Sequence, residues 1–320
     1  MRAQAADVLT FGETMLAVQV SGPLTAGGQA TTTVAGAESN VAVGLARLGH
    51  RAAWAGRVGA DEPGRAVLRA LRGEGIDTGH ATTDDTAPTG AMLRERRVAD
   101  LARVHYWRTG SAAAHLTPAH VAPALSAGAA VLHLTGITCA LGDGPLAAVR
   151  SAAEHARAHG WTVCLDVNHR ARLWDTAAAV RALRPLLPLV DVLVASDDEL
   201  AVVAGGDGDG EESRVAALLS AGVAEVVVKR GALGAEVSTR SGGHHRAPAR
   251  EVPVRDTVGA GDAFCAGYLS GLLDGLDAEG RLRRAIDTGA FAVATAGDWE
   301  GLPHRDELAL LDAAPGSAVR

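Results

Sequence analysis

The chain contains the stretch Asp256-Thr257-Val258-Gly259-Ala260-Gly261-Asp262, a glycine-rich turn that runs directly into an apolar segment ending near Leu273. This pattern predicts a helix over 259–273 whose first backbone N–H groups are left uncovered by small side chains. Such a helix start favours a bound phosphate or a developing phosphoryl charge, and a larger side chain would block its approach. We therefore predict an anion site formed by Gly259, Ala260 and Gly261.

The carboxylate of Asp262 falls in the first turn of the same predicted helix. Phosphoryl transfer needs donors for the phosphoryl oxygens and a carboxylate that orients the attacking hydroxyl. Because the transition state is loose, the proton can leave late, and the carboxylate serves mainly by positioning the nucleophile. The spacing fits a plain glycine turn with a dipole-complementing aspartate equally well. On spacing alone, both interpretations remain open.

Around this turn, short apolar runs alternate with amphipathic segments. The predicted strands are 8–12, 52–56, 131–135, 162–167, 190–195 and 225–229. The predicted helices are 38–48, 64–74, 146–159, 213–221, 259–273, 281–294 and 306–311. Several helices are followed by a glycine suited to the position after the C-cap, namely Gly49, Gly75, Gly160 and Gly222. Continuous apolar strands that alternate with helices predict an α/β fold with a mainly parallel sheet covered on both faces.

Two segments, 14–35 and 89–108, have the mixed polarity of short strands and interrupt this alternation. We expect them to form a small sheet that lies as a lid over the carboxyl ends of the main strands, where a doubly wound fold binds its ligand. The chain is thus predicted to be a single domain over 1–320, with a lid formed by about 12–35 and 88–110. An open strand edge in the lid would also favour pairing between subunits, so we expect a homo-oligomer.

The composition restricts the class of partner. A net charge of −7 disfavours nucleic acid and anionic membranes as main partners, and no uncharged apolar run of 18 residues is present. The three cysteines, Cys139, Cys164 and Cys265, have no metal-like spacing and lie in apolar stretches, which predicts buried free thiols and a cytoplasmic protein. Of 30 basic residues only Lys229 is lysine, which makes it a candidate for a chemically required residue.

Two long motifs carry a resemblance to a known family. The stretch 256–269, Asp-Thr-Val-Gly-Ala-Gly-Asp-Ala-Phe-Cys-Ala-Gly-Tyr-Leu, resembles the C-terminal signature of the PfkB (ribokinase-like) carbohydrate kinases. The stretch 34–42, Val-Ala-Gly-Ala-Glu-Ser-Asn-Val-Ala, resembles the N-terminal signature, as do 46–49 and 56–61. The resemblance covers nearly the whole chain and implies a ribokinase-like doubly wound fold with a small β-sheet lid. It implies ATP and Mg²⁺ as cofactors, Asp262 as the catalytic base and the amides of Gly259, Ala260 and Gly261 as the anion hole.

Four shorter segments resemble the 2-keto-3-deoxygluconate kinases of this family: 106–112, 133–138, 166–174 and 297–303. The resemblance implies ATP-dependent phosphorylation of a sugar acid, with 2-keto-3-deoxygluconate giving its 6-phosphate. The matching acceptor-binding residues, in addition to Asp262, are Gly36, Asn40, Tyr106, Arg108 and Arg170. A planar guanidinium suits a substrate carboxylate independently of the resemblance. The sequence departs from these kinases at 91–93, where Ala-Met-Leu stands in a strand that can carry a second tyrosine.

The nucleotide side is also implied by resemblance. Lys229 ends an apolar strand and precedes Arg-Gly-Ala-Leu-Gly, which resembles the loop that lies along the ATP phosphates in the family. Ser196-Asp-Asp-Glu199 matches an Asn-x-x-Glu element whose glutamate organises magnesium indirectly, although Ser196 replaces the asparagine. The implied nucleotide-binding residues are Asn168, Ser196, Lys229, Gly231, Gly234, Gly259 and Gly261.

Other functions remain as alternatives. A fructokinase or a 5-dehydro-2-deoxygluconate kinase would share the same signatures. A sugar-binding regulator that has lost catalysis would not need an intact Gly-Ala-Gly-Asp turn. A nicotinamide dehydrogenase would need a GxGxxG motif after the first strand, where the sequence has Phe11-Gly12-Glu13.

Overall fold

A computed structural model describes residues 6–98, 101–204 and 210–313, with the side chains of 96–98, 101 and 102 left aside. Its main sheet has eight strands in the order β14-β13-β12-β11-β10-β9-β1-β4. The pairs from β12 through to β4 are parallel, and β13 and β14 extend the sheet antiparallel at one edge. The strands are β1 (Val8–Thr10), β4 (Ala52–Trp54), β9 (Val131–Thr135), β10 (Thr162–Asp166), β11 (Val192–Ser196), β12 (Glu225–Lys229), β13 (Ala235–Thr239) and β14 (His244–Ala247).

Helices cover both faces of this sheet. They are α1 (Ala37–Arg47), α2 (Glu62–Gly73), α3 (Pro118–Ala127), α4 (Gly136–Cys139), α5 (Asp143–Ala158), α6 (Thr176–Leu183), α7 (Asp197–Ala204), α8 (Glu211–Ser220), α9 (Ala260–Leu273) and α10 (Ala278–Val293). One buried apolar cluster joins the sheet to α3, α5, α6, α7 and α8, and a second joins it to α1, α2, α9 and α10. The expected α/β fold, with a mainly parallel sheet between two helical layers, is confirmed.

A smaller sheet of four strands lies beside the main one, in the order β3-β2-β7-β8. Its strands are β2 (Met15–Ser21), β3 (Ala30–Ala35), β7 (Ala91–Val98) and β8 (Leu101–Trp107). A two-stranded sheet of β5 (Arg57–Gly59) and β6 (Thr82–Asp84) completes the strands. Residues 99 and 100, inside the predicted lid segment 88–110, are outside the described residues.

The glycines predicted to follow helices have the conformation that this role requires. Gly49, Gly75, Gly160 and Gly222 all have a positive φ. The last predicted helix, 306–311, is instead a 3-10 helix over Arg305–Asp312. In the part of the chain that the structure describes, no helix has both the length and the apolar character needed to cross a membrane.

The parallel strands β9 to β12 end at the same edge of the main sheet. Thr135 lies beside Asp166, and Ser196 lies beside Lys229, at the last registered pairs of these strands. Because carboxyl ends of parallel strands converge on a common crevice, polar residues at these positions are brought together. The candidate functional site lies at this edge.

Candidate active site

Asp262 is buried at the start of α9 and lies between two asparagines. The Nδ2 group of Asn40, on α1, donates to its Oδ2 atom at 2.7 Å, and that of Asn168 lies 3.4 Å from Oδ1. The sugar-binding candidate Asn40 and the base candidate Asp262 are therefore in direct contact. The side-chain oxygens of both asparagines are buried without a hydrogen-bond partner among the described residues, which leaves acceptors at the site for a ligand hydroxyl.

Burial raises the pKa of Asp262 to about 7. The hydrogen bond from Asn40 opposes the rise, and the negative charge of Asp166 adds to it. The positive charges of Arg170 and Lys229 also lower the pKa of this carboxyl. A carboxyl whose pKa lies near neutrality is suited to accept a proton from an alcohol, because its two forms differ little in free energy at that pH.

The turn before α9 has the backbone that the sequence predicted. Gly259 is the N-cap residue in the left-handed region at φ 73°, which favours glycine. A Cβ atom on Gly259 would lie 1.8 Å from the carbonyl oxygen of Asp298, so this position has no room for a side chain. A Cβ atom on Gly261 would meet only Nζ of Lys229, at 3.4 Å. The turn is thus packed against the 297–302 loop on one side and faces Lys229 on the other.

Lys229 forms a buried charged cluster at the ends of β10 and β12. Its Nζ donates to Oδ1 of Asp166 at 2.9 Å, while Asn168 donates to Oδ2 of the same carboxylate at 3.1 Å. Burial opposes the charge of Lys229, but Asp166 and the other neighbouring acidic groups raise its pKa above the ordinary value. The one lysine of the chain is therefore held as a cation beside the anion turn, the turn formed by Gly259, Ala260 and Gly261.

Asn168 lies in the loop that follows β10, and Glu199, on α7, holds that loop from a neighbouring element. Asn168 has φ 40°, the one non-glycine residue with a positive φ in the described chain. Both carboxylate oxygens of Glu199 accept backbone N–H groups, from His169 at 2.7 Å and from Ser196 at 2.8 Å. Glu199 thus fixes the loop that carries Asn168 and Arg170, a role compatible with an indirect effect on a metal. Ser196 caps the start of α7, its hydroxyl accepting the N–H of Glu199 at 3.3 Å.

A cavity of about 940 Å³ opens next to the anion turn. It is lined by Lys229, Gly231, Gly234 and Gly261, by residues 248–254, and by apolar side chains of α9 and α10. The volume and the combination of a lysine with many apolar side chains suit a nucleotide. Four of the predicted nucleotide-binding residues therefore line one cavity.

The acceptor candidates on the small sheet form a second group. Arg108 is paired with the buried carboxylate of Glu13, whose other oxygen accepts the hydroxyl of Ser111 at 2.6 Å. The guanidinium of Arg108 lies 5.7 Å from the ring centroid of Tyr106, and that of Arg172 lies 6.0 Å from it. Arg108 is thus held from one side by an acidic partner.

Glu38 is a second buried carboxylate near Arg108, although sequence reasoning did not single it out. Its Oε1 atom accepts the hydroxyls of Thr135 and Thr138, each at 2.5 Å. Burial raises its pKa, while the two hydroxyls and Arg108 lower it. A Cβ atom on Gly12 would lie 2.3 Å from this carboxyl group, which explains the glycine before Glu13.

Gly36 and Arg170 complete the predicted acceptor residues. A Cβ atom on Gly36 would lie 2.3 Å from the carbonyl oxygen of Glu13, so the start of α1 is pressed against the loop that holds Arg108. Arg170 is exposed at the site, and its charge acts on Asp262. The candidate residues thus form two groups. The nucleotide side lies around Lys229, and the acceptor side comprises Arg170 and the residues of the small sheet.

A further group joins the small sheet to the anion turn. Arg94, on β7, donates to both carboxylate oxygens of Asp298 at 3.2 and 3.1 Å and lies 3.7 Å from Oδ2 of Asp256. Burial raises the pKa of Asp298 to about 6, while Arg94 lowers it. Asp256 and Asp298 lie within quoted motifs. What the sequence does not reveal is their shared partner, 162 to 204 positions away.

The oxygen ligands present suit a magnesium ion that is bound mainly by phosphate groups. No cluster of three His, Cys, Asp or Glu side chains forms a metal cage in the ranges that the structure describes. Magnesium needs no such cage at a nucleotide site, since it keeps several waters and binds phosphates with one or two carboxylates. Asp166 and the unpartnered Oδ1 atom of Asn168 supply oxygen ligands of that kind beside the anion turn.

The same architecture and sequence occur in known proteins. A family model described as pfkB family carbohydrate kinase matches residues 5–305. A 2-dehydro-3-deoxygluconokinase of Bacillus subtilis (strain 168) is 36% identical over 307 residues, which cover 95% of this chain and 94% of that protein. Another from Thermoproteus tenax is 37% identical over 278 residues, covering 86% of this chain and 83% of that protein. The crystal structure of a PfkB protein from Polaromonas sp. JS666 superposes with a TM-score of 0.84 at 37% identity, covering 96% of this chain and 99% of that one.

Proposed function

Because this chain belongs to the pfkB family of carbohydrate kinases, we propose that it phosphorylates a sugar acid with ATP. The proposed acceptor is 2-keto-3-deoxygluconate, also named 2-dehydro-3-deoxygluconate, and the product is its 6-phosphate. The relatives named for this substrate support that choice. The observation that carries the proposal is the position of Asp262, which contacts Asn40 on the acceptor side and lies beside the anion turn and Lys229 on the nucleotide side.

In this proposal Asp262 accepts the hydroxyl proton of the acceptor. Asn40 orients the carboxylate, and burial keeps its pKa near neutrality, so the proton can be taken up as the new phosphate ester forms. The amides of Gly259, Ala260 and Gly261 receive the negative charge that develops on the transferred phosphoryl oxygens.

ATP occupies the cavity beside the turn, with its phosphates towards Lys229 and its apolar base along 248–254. Lys229, Gly231, Gly234 and Gly261 line the phosphate end, and Asn168 lies next to it. Mg²⁺, carried by the phosphates and assisted by Asp166 and Asn168, would supply neutralisation of their charge. Ser196 and Glu199 act through the loop that carries Asn168.

Arg108, Tyr106 and Arg170 bind the acceptor, with Gly36 allowing the close approach of α1. The carboxylate of a sugar acid is matched by guanidinium groups, whereas a neutral sugar needs none. Arg170 has the greater freedom to bind it, because it is exposed while Arg108 is already paired with Glu13.

A coupled ADP-release assay across sugar acids and neutral sugars tests the proposal. We expect turnover with 2-keto-3-deoxygluconate, and a KM raised about 10- to 100-fold in Arg170→Met, as for a lost charged hydrogen bond. Turnover of neutral ketoses without turnover of sugar acids would refute the acceptor assignment and favour a fructokinase. Turnover of 5-dehydro-2-deoxygluconate alone would assign the chain to that neighbouring activity.

The Asp262→Asn variant separates catalysis from binding in the same assay. We expect it to bind acceptor while losing several orders of magnitude in turnover. Unchanged turnover would exclude Asp262 as the base. Binding without turnover in the unmodified protein would instead identify a sugar-binding regulator.

We also propose that the protein is a cytoplasmic homo-oligomer. Cys139, Cys164 and Cys265 are buried free thiols, as expected in a reducing compartment. The small sheet carries an exposed aromatic side chain, Trp107, on the edge strand β8. An exposed apolar edge of this kind supports pairing with a second copy of the chain.

A further inference from the structure

Arg94 is a buried arginine, and only some of its hydrogen-bond donors have a partner among the described residues. Its side chain is 9% exposed, and its Nε and one terminal nitrogen lack a hydrogen-bond partner within the described residues. Burying a guanidinium is unfavourable unless its charge and donors are matched, so such a group is a poor device for stability alone. Its position therefore calls for a functional explanation.

The two carboxylates that Arg94 contacts belong to the two sides of the anion turn. Asp256 opens the turn and accepts the N–H of Val258 at 3.1 Å. Asp298 backs the turn, because its carbonyl oxygen occupies the space in front of Gly259. One guanidinium thus connects the segment that enters the turn with the loop that supports it.

The same arginine belongs to the sheet that carries the acceptor candidates. Arg94 lies on β7 two residues after Met92, and Met92 is registered opposite Tyr106. Residues two apart on a strand point to the same face, so Arg94 shares one face of the small sheet with Met92 and with its partner Tyr106. Arg94 therefore connects the sheet that carries Tyr106 to the turn.

Charge makes this contact relevant to the reaction. Asp256 and Asp298 place two carboxylates beside a turn at which the transferred phosphoryl group would carry negative charge. Without a compensating cation, these carboxylates would repel that charge at short range. Arg94 offsets their negative charge.

We propose that Arg94 is a positioning residue for phosphoryl transfer, which fixes the anion turn relative to the small sheet by binding Asp298 and Asp256 together. The proposal rests on the kinase function proposed above. Arg94 contacts neither substrate in this proposal. It acts on the alignment of the anion turn and on the charge beside that turn.

Arg47 provides a matched control, because it holds the same loop without meeting either carboxylate. Its guanidinium donates to the carbonyl oxygens of Trp299, Glu300 and Leu302, at 3.3, 3.1 and 2.7 Å. Arg47→Met therefore loosens the loop and removes the partner of Glu74, while Asp298 and Asp256 keep Arg94. Arg94→Met removes the compensation, and Arg94→Lys keeps the charge but loses the second terminal nitrogen, so that Asp298 and Asp256 cannot each face a nitrogen of their own.

The test measures kcat, both KM values and thermal unfolding of the three variants. We expect Arg94→Met to lower kcat by about 100-fold, the size of effect for a misplaced reacting group, with the acceptor KM within about threefold. Arg94→Lys should recover part of kcat, and Arg47→Met should unfold at a lower temperature with kcat within about threefold of the unmodified protein. Equal losses of kcat in Arg94→Met and Arg47→Met, or an unchanged kcat in Arg94→Met, would overturn the proposal.

Calorimetric titration with Mg²⁺ and a non-hydrolysable ATP analogue separates this proposal from the kinase assignment. We expect Arg94→Met to raise the Kd of the analogue by about tenfold, or 1.4 kcal/mol, and Arg47→Met to leave it unchanged. If the unmodified protein phosphorylates none of the sugars tested, the function proposal fails while this measurement still decides the role of Arg94. An unchanged Kd in Arg94→Met would count against Arg94.

Discussion

At the scale of single residues, the site depends on one carboxyl group whose environment sets its chemistry. Asp262 is desolvated by burial, and the nearby charge of Asp166 further disfavours its ionised form. Asn40 orients it and favours ionisation. The balance gives a carboxyl that is partly protonated near neutral pH, as the proposed role of a base that takes a proton late in the reaction requires.

The pH dependence of kcat/KM follows from this balance. Burial raises the pKa of Asp262 to about 7, so below that pH the carboxyl is protonated and cannot accept the hydroxyl proton. We expect log kcat/KM for the acceptor to fall with unit slope, about tenfold per pH unit, as the pH decreases below 7. A stopped assay between pH 5.5 and 8.5 measures this limb. An acid limb centred near pH 4 would mean that Asp262 ionises as an ordinary carboxyl or is not the base.

At the scale of elements, the glycine turn before α9 combines a backbone requirement with a binding requirement. Position 259 requires a glycine for two reasons. Gly259 has a left-handed φ of 73°, and a Cβ atom there would overlap the carbonyl oxygen of Asp298. Gly261 is under neither of these two restrictions. Its φ is not positive, and the nearest atom to an added Cβ is the flexible end of Lys229. The chain therefore allows the two contributions to be separated.

Three alanine substitutions make this separation. Gly259→Ala should unfold at a clearly lower temperature and lose activity, because a Cβ would overlap the Asp298 carbonyl. Gly160→Ala, at φ 72° with no atom within 4 Å, should lose only the roughly 1–2 kcal/mol of the left-handed backbone and keep its activity. Gly261→Ala should retain its unfolding temperature but raise the KM for ATP, since a methyl group narrows the anion turn.

Thermal melts and initial rates on the three proteins check this series. A Gly261→Ala variant with unchanged nucleotide kinetics would show that phosphate does not bind at the turn. Gly160→Ala serves as the backbone control, so equal destabilisation of Gly160→Ala and Gly259→Ala would exclude the clash with Asp298 as the cause.

Much of this element-scale structure could be predicted from the sequence, for physical reasons. Val131–Thr135 and Glu225–Lys229 have the predicted bounds, because buried parallel strands are continuous apolar runs. The antiparallel strands Ala235–Thr239 and His244–Ala247 were not predicted, because half-exposed edge strands have mixed polarity. The segment Arg305–Asp312 forms a 3-10 helix, a difference in hydrogen bonding that hydrophobic spacing does not reveal.

The residues of the candidate site likewise fall into two groups: some can be recognised from the local sequence, and others depend on contacts between distant segments. Gly259 and Lys229 belong to local patterns of small or apolar residues, so the sequence singles them out. The partners of Arg108 and Arg94 are set by the packing of the small sheet on the main one. A buried pair such as Arg94–Asp298 spans 204 positions and has no spacing to recognise.

At the scale of the whole molecule, the predicted acceptor and nucleotide residues come from different sheets. Asp166 and Lys229 end strands of the main sheet and Asn168 follows β10, whereas Tyr106 lies on β8 of the small sheet and Arg108 directly follows that strand. The two sheets are joined by the loop 297–302, to which β3 also donates from Thr33 to Glu300 at 2.6 Å. Anything that constrains the small sheet therefore constrains the site.

Self-association through the small sheet is the prediction that belongs to this scale. Trp107 is 59% exposed on the edge strand β8, a placement that is unfavourable in water unless a partner covers it. We expect sedimentation equilibrium to give at least twice the mass of one chain, with Trp107→Glu shifting the protein towards a single chain because a charge cannot be buried unpaired at the interface. Leu310→Glu is the matched control, since Leu310 is 40% exposed on the C-terminal 3-10 helix, away from the small sheet. A single-chain mass for the unmodified protein at all concentrations, or equal dissociation by both variants, would exclude assembly through the small sheet.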